Sequence, residues 1–108
     1  MDGFDKLIDD YLKELKKSPT FKQYREKYAA LKKDEEMWEK VSAYRKQRHE
    51  LQKNTPADEL YDKADWFERD NAYIYENKQA REFLEAEVAA CRLVQDICLK
   101  ITQSMDFE

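Results

Sequence analysis

From Lys78 to Ser104 the chain reads KQAREFLEAEVAACRLVQDICLKITQS. Ala80, Leu84, Glu87, Cys91, Val94, Cys98, Ile101 and Met105 recur at alternating spacings of four and three, with Phe83, Val88 and Ile97 widening the line. Apolar residues at this period mark one face of an α-helix. At 1.5 Å per residue such a helix is about 40 Å long, whereas a compact chain of this size has a radius of gyration near ~13 Å. It therefore protrudes, or another chain covers it. The apolar line continues to Met105 and Phe107, and the shorter helices upstream cannot hide it from end to end. Self-association, as a homodimer at least, is the expectation.

Upstream, the pattern breaks at recognisable start and stop signals. A first helix over about Gly3 to Lys17 carries Phe4, Leu7, Ile8, Tyr11, Leu12 and Leu15 on one stripe. Ser18-Pro19 then ends one helix and starts the next, because Ser caps well and Pro is preorganised for the first helical position. The second helix, with Phe21, Tyr24, Tyr28 and Leu31, runs to about Lys33 and forms a tight pair with the first. Asp34 caps a third helix over about Glu35 to Lys53, where Met37, Val41, Tyr44, Arg48 and Leu51 share a seam. At Asn54-Thr55-Pro56, Thr55 caps and Pro56 opens a fourth helix from about Ala57 to Tyr75. A break near Asn77 separates it from the last helix.

These elements predict an all-α fold of four to five helices in antiparallel hairpins with a long C-terminal helix, elongated and dimeric, forming one domain over residues 1–108. Composition agrees. One Gly and two Pro in 108 residues are too few for the turns of a sandwich or barrel. No run of 18 apolar residues occurs and the N-terminus lacks the pattern of a secretory signal, so a cytoplasmic protein without membrane contact is expected. Cys91 and Cys98 lie seven apart in a helix, roughly 10 Å between Cα atoms, too far to bridge each other. They read as small residues on a buried stripe of a reduced protein. Net charge is −4, unevenly placed: residues 1–54 hold 14 Lys and Arg against 11 acids, while residues 55–108 hold 6 against 13. The basic residues alternate with acids, which argues against direct nucleic-acid binding.

The sequence shows no catalytic, cofactor-binding or metal-binding constellation. The sole histidine, His49, falls beside the third helix's seam and reads as a surface residue; the sole glycine, Gly3, rules out a glycine-rich phosphate loop. No cofactor and no enzymatic activity are expected. Three polar residues do stand on apolar seams: Arg48, Asn71 and Glu87. A charge there needs a partner. One reading is a structural polar cluster of Arg45, Arg48, Asn71 and Glu87, with Glu87 meeting Arg48 or Arg45. The other has Glu87 and Arg48 reaching solvent at the edge of the stripe. The surplus apolar residues Trp38, Trp66, Val94, Ile101 and Met105 are the candidates for an interface.

The run Ser18-Pro19-Thr20-Phe21-Lys22-Gln23-Tyr24, continuing to Tyr28, Ala29 and Lys33-Asp34-Glu35-Glu36, resembles a segment of the YlbF/YmcA family of small bacterial helical proteins, which includes YheA. Tyr44 with Gln47 and the stretch Phe83-Leu84-Glu85-Ala86-Glu87 are similar to that family's third- and last-helix patterns. Nearly the whole chain is covered. It departs from the pattern at Asn54-Thr55-Pro56, where a glycine-containing loop would stand, and in lacking a cysteine-rich tail, which leaves no ground for iron–sulfur association. The resemblance implies a cytoplasmic, non-enzymatic regulator. Its implied partners are a second copy, other family members or an RNA-processing endonuclease complex. Two further readings are an RNA-binding accessory protein using the basic N-terminal half, and a hydrolytic enzyme built on Glu87.

Overall fold

A computed structural model describes residues 2–106, so Phe107 lies outside the described residues. Five α-helices follow in order: α1 Asp2–Lys16, α2 Pro19–Lys32, α3 Glu35–Asn54, α4 Ala57–Asp70 and α5 Lys78–Ser104, with a 3₁₀ turn at Ala72–Glu76 before the last. No strand occurs among the described residues. Three of the junctions are capped by side chains. Ser18 Oγ accepts from the Phe21 N–H at 3.3 Å, Asp34 Oδ1 from the Met37 N–H at 3.1 Å, and Asn77 Oδ1 from the Ala80 N–H at 2.9 Å. Each satisfies an orphan donor of the first turn.

Two junctions differ from the sequence expectation. Thr55 does not cap α4. It closes α3, its N–H donating to the Leu51 carbonyl at 3.1 Å, and Pro56 occupies the capping position with extended backbone and no side-chain bond. Asp58 and Glu59 in the first turn complement the helix dipole instead. The fourth helix also stops at Asp70 rather than Tyr75. Both the N–H of Asn71 and its side-chain amide, the latter at 2.9 Å, donate to the Phe67 carbonyl, and the tighter 3₁₀ turn that follows buries Ile74 completely.

The core lies at the N-terminal end of α5, where α2 runs along it. Leu31, Val41, Tyr44, Ile74, Phe83 and Leu84 are the largest fully buried side chains. Phe83 is ringed by Tyr24, Tyr28 and Trp38; Tyr28 and Trp38 meet edge-on at 5.0 Å between centroids, and Trp38 and Phe83 at 5.9 Å. Trp38 therefore packs within the chain rather than standing free as an interface residue. The reason is its place on α3, which aims the indole at the aromatic side chains of α2 and α5.

Beyond Ala90 no residue of α5 is buried, and only Leu93 and Ile97 remain half-buried. Val94, Ile101 and Met105 are 41%, 56% and 59% exposed, and α1 leaves Phe4, Leu7, Ile8, Tyr11 and Leu12 exposed as well. The expected tight pairing of the first two helices is absent, since α1 barely touches α2. Its last turn is tied to α2 by Arg25, which donates to the Lys16 carbonyl at 2.5 Å. Cys91 and Cys98, expected on a buried stripe, are both exposed and free, because they sit on this uncovered half of α5. The result is a thin, open molecule of 48 × 39 × 19 Å with a radius of gyration of 17.3 Å. The thickness matches two helix layers of roughly 10 Å each.

Candidate functional site

Two features stand out: a clamp at the middle of α5, and an apolar surface running from it to the open end. The clamp centres on Glu87, whose side chain is 13% exposed. Arg45 Nη2 lies 2.6 Å from one carboxylate oxygen and Arg48 Nη2 lies 3.3 Å from the other. The structure thus brings Glu87 together with both arginines, so the reading in which Glu87 and Arg48 merely reach solvent does not hold. Asn71 does not join them, because its amide is spent on closing α4.

Aromatic rings hold the arginines from behind. The Arg45 guanidinium lies 5.2 Å from the Phe83 ring centroid and that of Arg48 lies 5.2 Å from the ring of Tyr44. Both distances fall within the range of cation–π attraction. Tyr44 extends the network into α4. Its hydroxyl faces the two carboxylate oxygens of Glu68 at 2.9 and 2.7 Å, and the Tyr75 hydroxyl lies 3.3 Å away. Since Tyr44 has one proton and donates it to Glu68, Tyr75 is the donor to Tyr44. The Tyr44 ring also stacks on Phe67 at 5.4 Å. Burial raises the Tyr44 phenol above its ordinary range, and the bonds to Tyr75 and Glu68 raise it further.

Glu68 and Tyr75 had no sequence signal as partners. An acid on an exposed helix face looks like any other until the α3–α4 hairpin register is known. Lys27 and Glu82, at 2.8 Å, join α2 to α5 and were equally hidden. Their hydrogen bond raises the lysine and lowers the carboxyl.

The apolar surface begins beside Glu87. A groove of 450 Å³ between α2 and α5 is lined by Phe21, Tyr24, Cys91 and Val94 together with Arg45 and Glu87. Farther along α5, Tyr11 of α1 faces Ile97, Ile101 and Met105 across an open cleft of 490 Å³. Val94, Ile101 and Met105, named from sequence as interface residues, share this surface. Trp66 lies apart from it on α4 and is 69% exposed. Among the described residues, no helix is long and apolar enough to cross a membrane.

Residues 7–106 match the family model described as "Control of competence regulator ComK, YlbF/YmcA". The chain belongs to the YlbF/YmcA family. A UPF0342 protein of Caldicellulosiruptor bescii is 27% identical over 96 residues, covering 87% of this chain and 81% of that protein. No solved structure matches the chain. The family match begins within α1 and ends just beyond α5, so it takes in the clamp and the apolar surface alike. A regulatory role is consistent with the family's description.

Proposed function

We propose that this YlbF/YmcA protein is a non-enzymatic, cytoplasmic regulatory module that works by helix-mediated association, first with a second copy of itself. The observation that carries the reading is uncovered surface. The chain exposes 8711 Å², whereas a compact protein of 13.1 kDa exposes about 6400 Å². The excess, roughly 2300 Å², is more than the ~1000 Å² per partner that a stable homodimer buries. Large apolar side chains are exposed along both α1 (Phe4, Leu7, Ile8, Tyr11, Leu12) and distal α5 (Val94, Leu99, Ile101, Met105), and clustered exposed apolar groups mark interaction surfaces. The α1 stripe, the cleft at Tyr11 and the distal half of α5 together form a face that a second copy would complete as a helical bundle.

The family's link to competence control supports a regulatory assembly as the setting. In it the dimer acts as an adaptor to an RNA-processing endonuclease complex. No chemistry is assigned to Glu87, because both of its carboxylate oxygens face guanidinium groups. Complementation tests the adaptor role: in a host strain lacking the gene, endonuclease-dependent transcript processing is compared after restoring the wild-type chain or Ile101→Glu/Met105→Glu. Restoration by the wild type and not by the variant is expected. Unchanged processing in the deletion strain, or equal restoration by both, would discard the proposal.

A further inference from the structure

Glu87 leaves a charge imbalance on α3. It is one carboxylate between two arginines, and beside them an open surface groove is lined by Ser42, Arg45, Lys46, Arg48, His49 and Gln52, with Glu87 at its wall. Ser42, Arg45, Lys46, His49 and Gln52 follow helical spacing, so they share one face of α3 over about 15 Å. Three permanent positive charges there meet a single negative one. His49 adds an imidazole hydrogen-bonding group at the same face.

The arginines are already fixed in place. Each is backed by an aromatic ring, at 5.2 Å in both cases, and gripped by Glu87 through one terminal nitrogen. A guanidinium carries five N–H donors, so most of them are not used by the carboxylate. Side chains immobilised before a ligand arrives lose little entropy when it binds. Lys46 and His49, in contrast, are exposed and free to close on an incoming anion.

We infer that this groove binds a compact phosphate-bearing anion of the diphosphate class, with at least two negative charges. Planar guanidinium groups pair bidentately with phosphate as with carboxylate oxygens, and a diphosphate brings more acceptor oxygens and more negative charge to the two arginines than a single carboxylate or a chloride. A dianion would balance the local surplus of Arg45, Lys46 and Arg48 over Glu87. A long polyanion fits poorly, because the chain as a whole carries a net charge of −4 and its field repels extended negative ligands. With no glycine-rich loop in the sequence, the donors are side chains, with the Ser42 hydroxyl and Gln52 amide at the ends.

The test titrates the full chain with inorganic pyrophosphate at low ionic strength, using calorimetry and amide NMR shifts, with sodium chloride of equal ionic strength as the control. Saturable one-to-one binding is expected, with shifts confined to residues 42–52 and the neighbourhood of Glu87. Lys46→Gln/His49→Gln leaves the Glu87 pairs intact and should weaken binding about tenfold while the circular dichroism stays unchanged. Lys46→Glu is a second, independent variant with the same expected direction. Absence of saturation up to about 10 mM, shifts located elsewhere, or affinity unchanged in both variants would overturn the inference. So would a single-stranded RNA without terminal phosphates that moves these signals when pyrophosphate does not.

Discussion

Glu87 concentrates much of what can be measured at single residues. It was legible in the sequence because a carboxylate on an apolar seam demands a partner; that it takes two arginines was not, since this depends on how α3 crosses α5. Glu87→Gln removes the charge while keeping the shape, leaving Arg45 and Arg48 uncompensated. The variant should lose about 1–3 kcal/mol of stability in chemical denaturation, less than the loss from breaking a fully buried pair because both guanidinium groups remain partly solvated. Tyr44 gives a second test. Its raised phenol pKa means that the folded state holds the proton more tightly than the unfolded state. Stability is therefore complete below about pH 10, the ordinary tyrosine value, and falls as pH rises beyond it. Tyr44→Phe should flatten that alkaline limb and cost about 1–3 kcal/mol at neutral pH through the lost bond to Glu68. Glu82, lowered chiefly by its hydrogen bond to Lys27, works in the opposite sense. Its contribution is present above about pH 4.3 and is lost as pH falls toward the folded value, so Glu82→Gln should reduce the acid sensitivity of the melting temperature.

At the level of helices, the caps were the most readable feature. Ser18 and Asp34 stand where short polar side chains precede apolar periodicity, and each accepts the expected backbone N–H; Asn77, placed at the break before the last helix, accepts one in the same way. Asn77→Ala should therefore lower stability by about 1 kcal/mol in thermal or chemical unfolding, whereas Thr55→Ala, whose hydroxyl caps nothing in α4, should change it by much less. The end of α4 was less readable. Leu60, Ala64, Phe67, Asn71 and Ile74 keep helical spacing across Asn71, so periodicity alone continues the helix through the turn. What ends it is the double donation from Asn71 to Phe67, which gathers the chain into the 3₁₀ turn that seats Ile74 and brings Tyr75 to Tyr44. Trp38 illustrates the same limit. Its aromatic bulk beside the α3 seam suggested an outer surface, and only the approach of α2 and α5 packs it, partly buried, against the core.

The whole molecule carries the argument for association. The length of α5 was plain from the sequence, and its distal half is largely uncovered: past Ala90 the α2 residues Phe21 and Tyr24 only flank an open groove with Cys91 and Val94, and Ile101 and Met105 stay exposed. The exposure of Cys91 and Cys98 follows from the same fact, because a stripe is buried only where something lies against it. The direction in which α1 leaves α2 could not be read, since Ser18-Pro19 specifies a junction but not an angle. With α1 standing off, the radius of gyration is 17.3 Å, against about 13 Å for a compact chain of this length. A second copy laid on the α1 and α5 stripes would bury that surface, and Ile101→Glu, which places a charge on it, should shift the equilibrium to single chains without loss of helicity. The most direct measurement is the solution mass by multi-angle light scattering during size-exclusion chromatography at micromolar concentration. Twice the 13.1 kDa chain mass is the expected result for the wild type; a single-chain mass throughout would contradict association as the purpose of the open face.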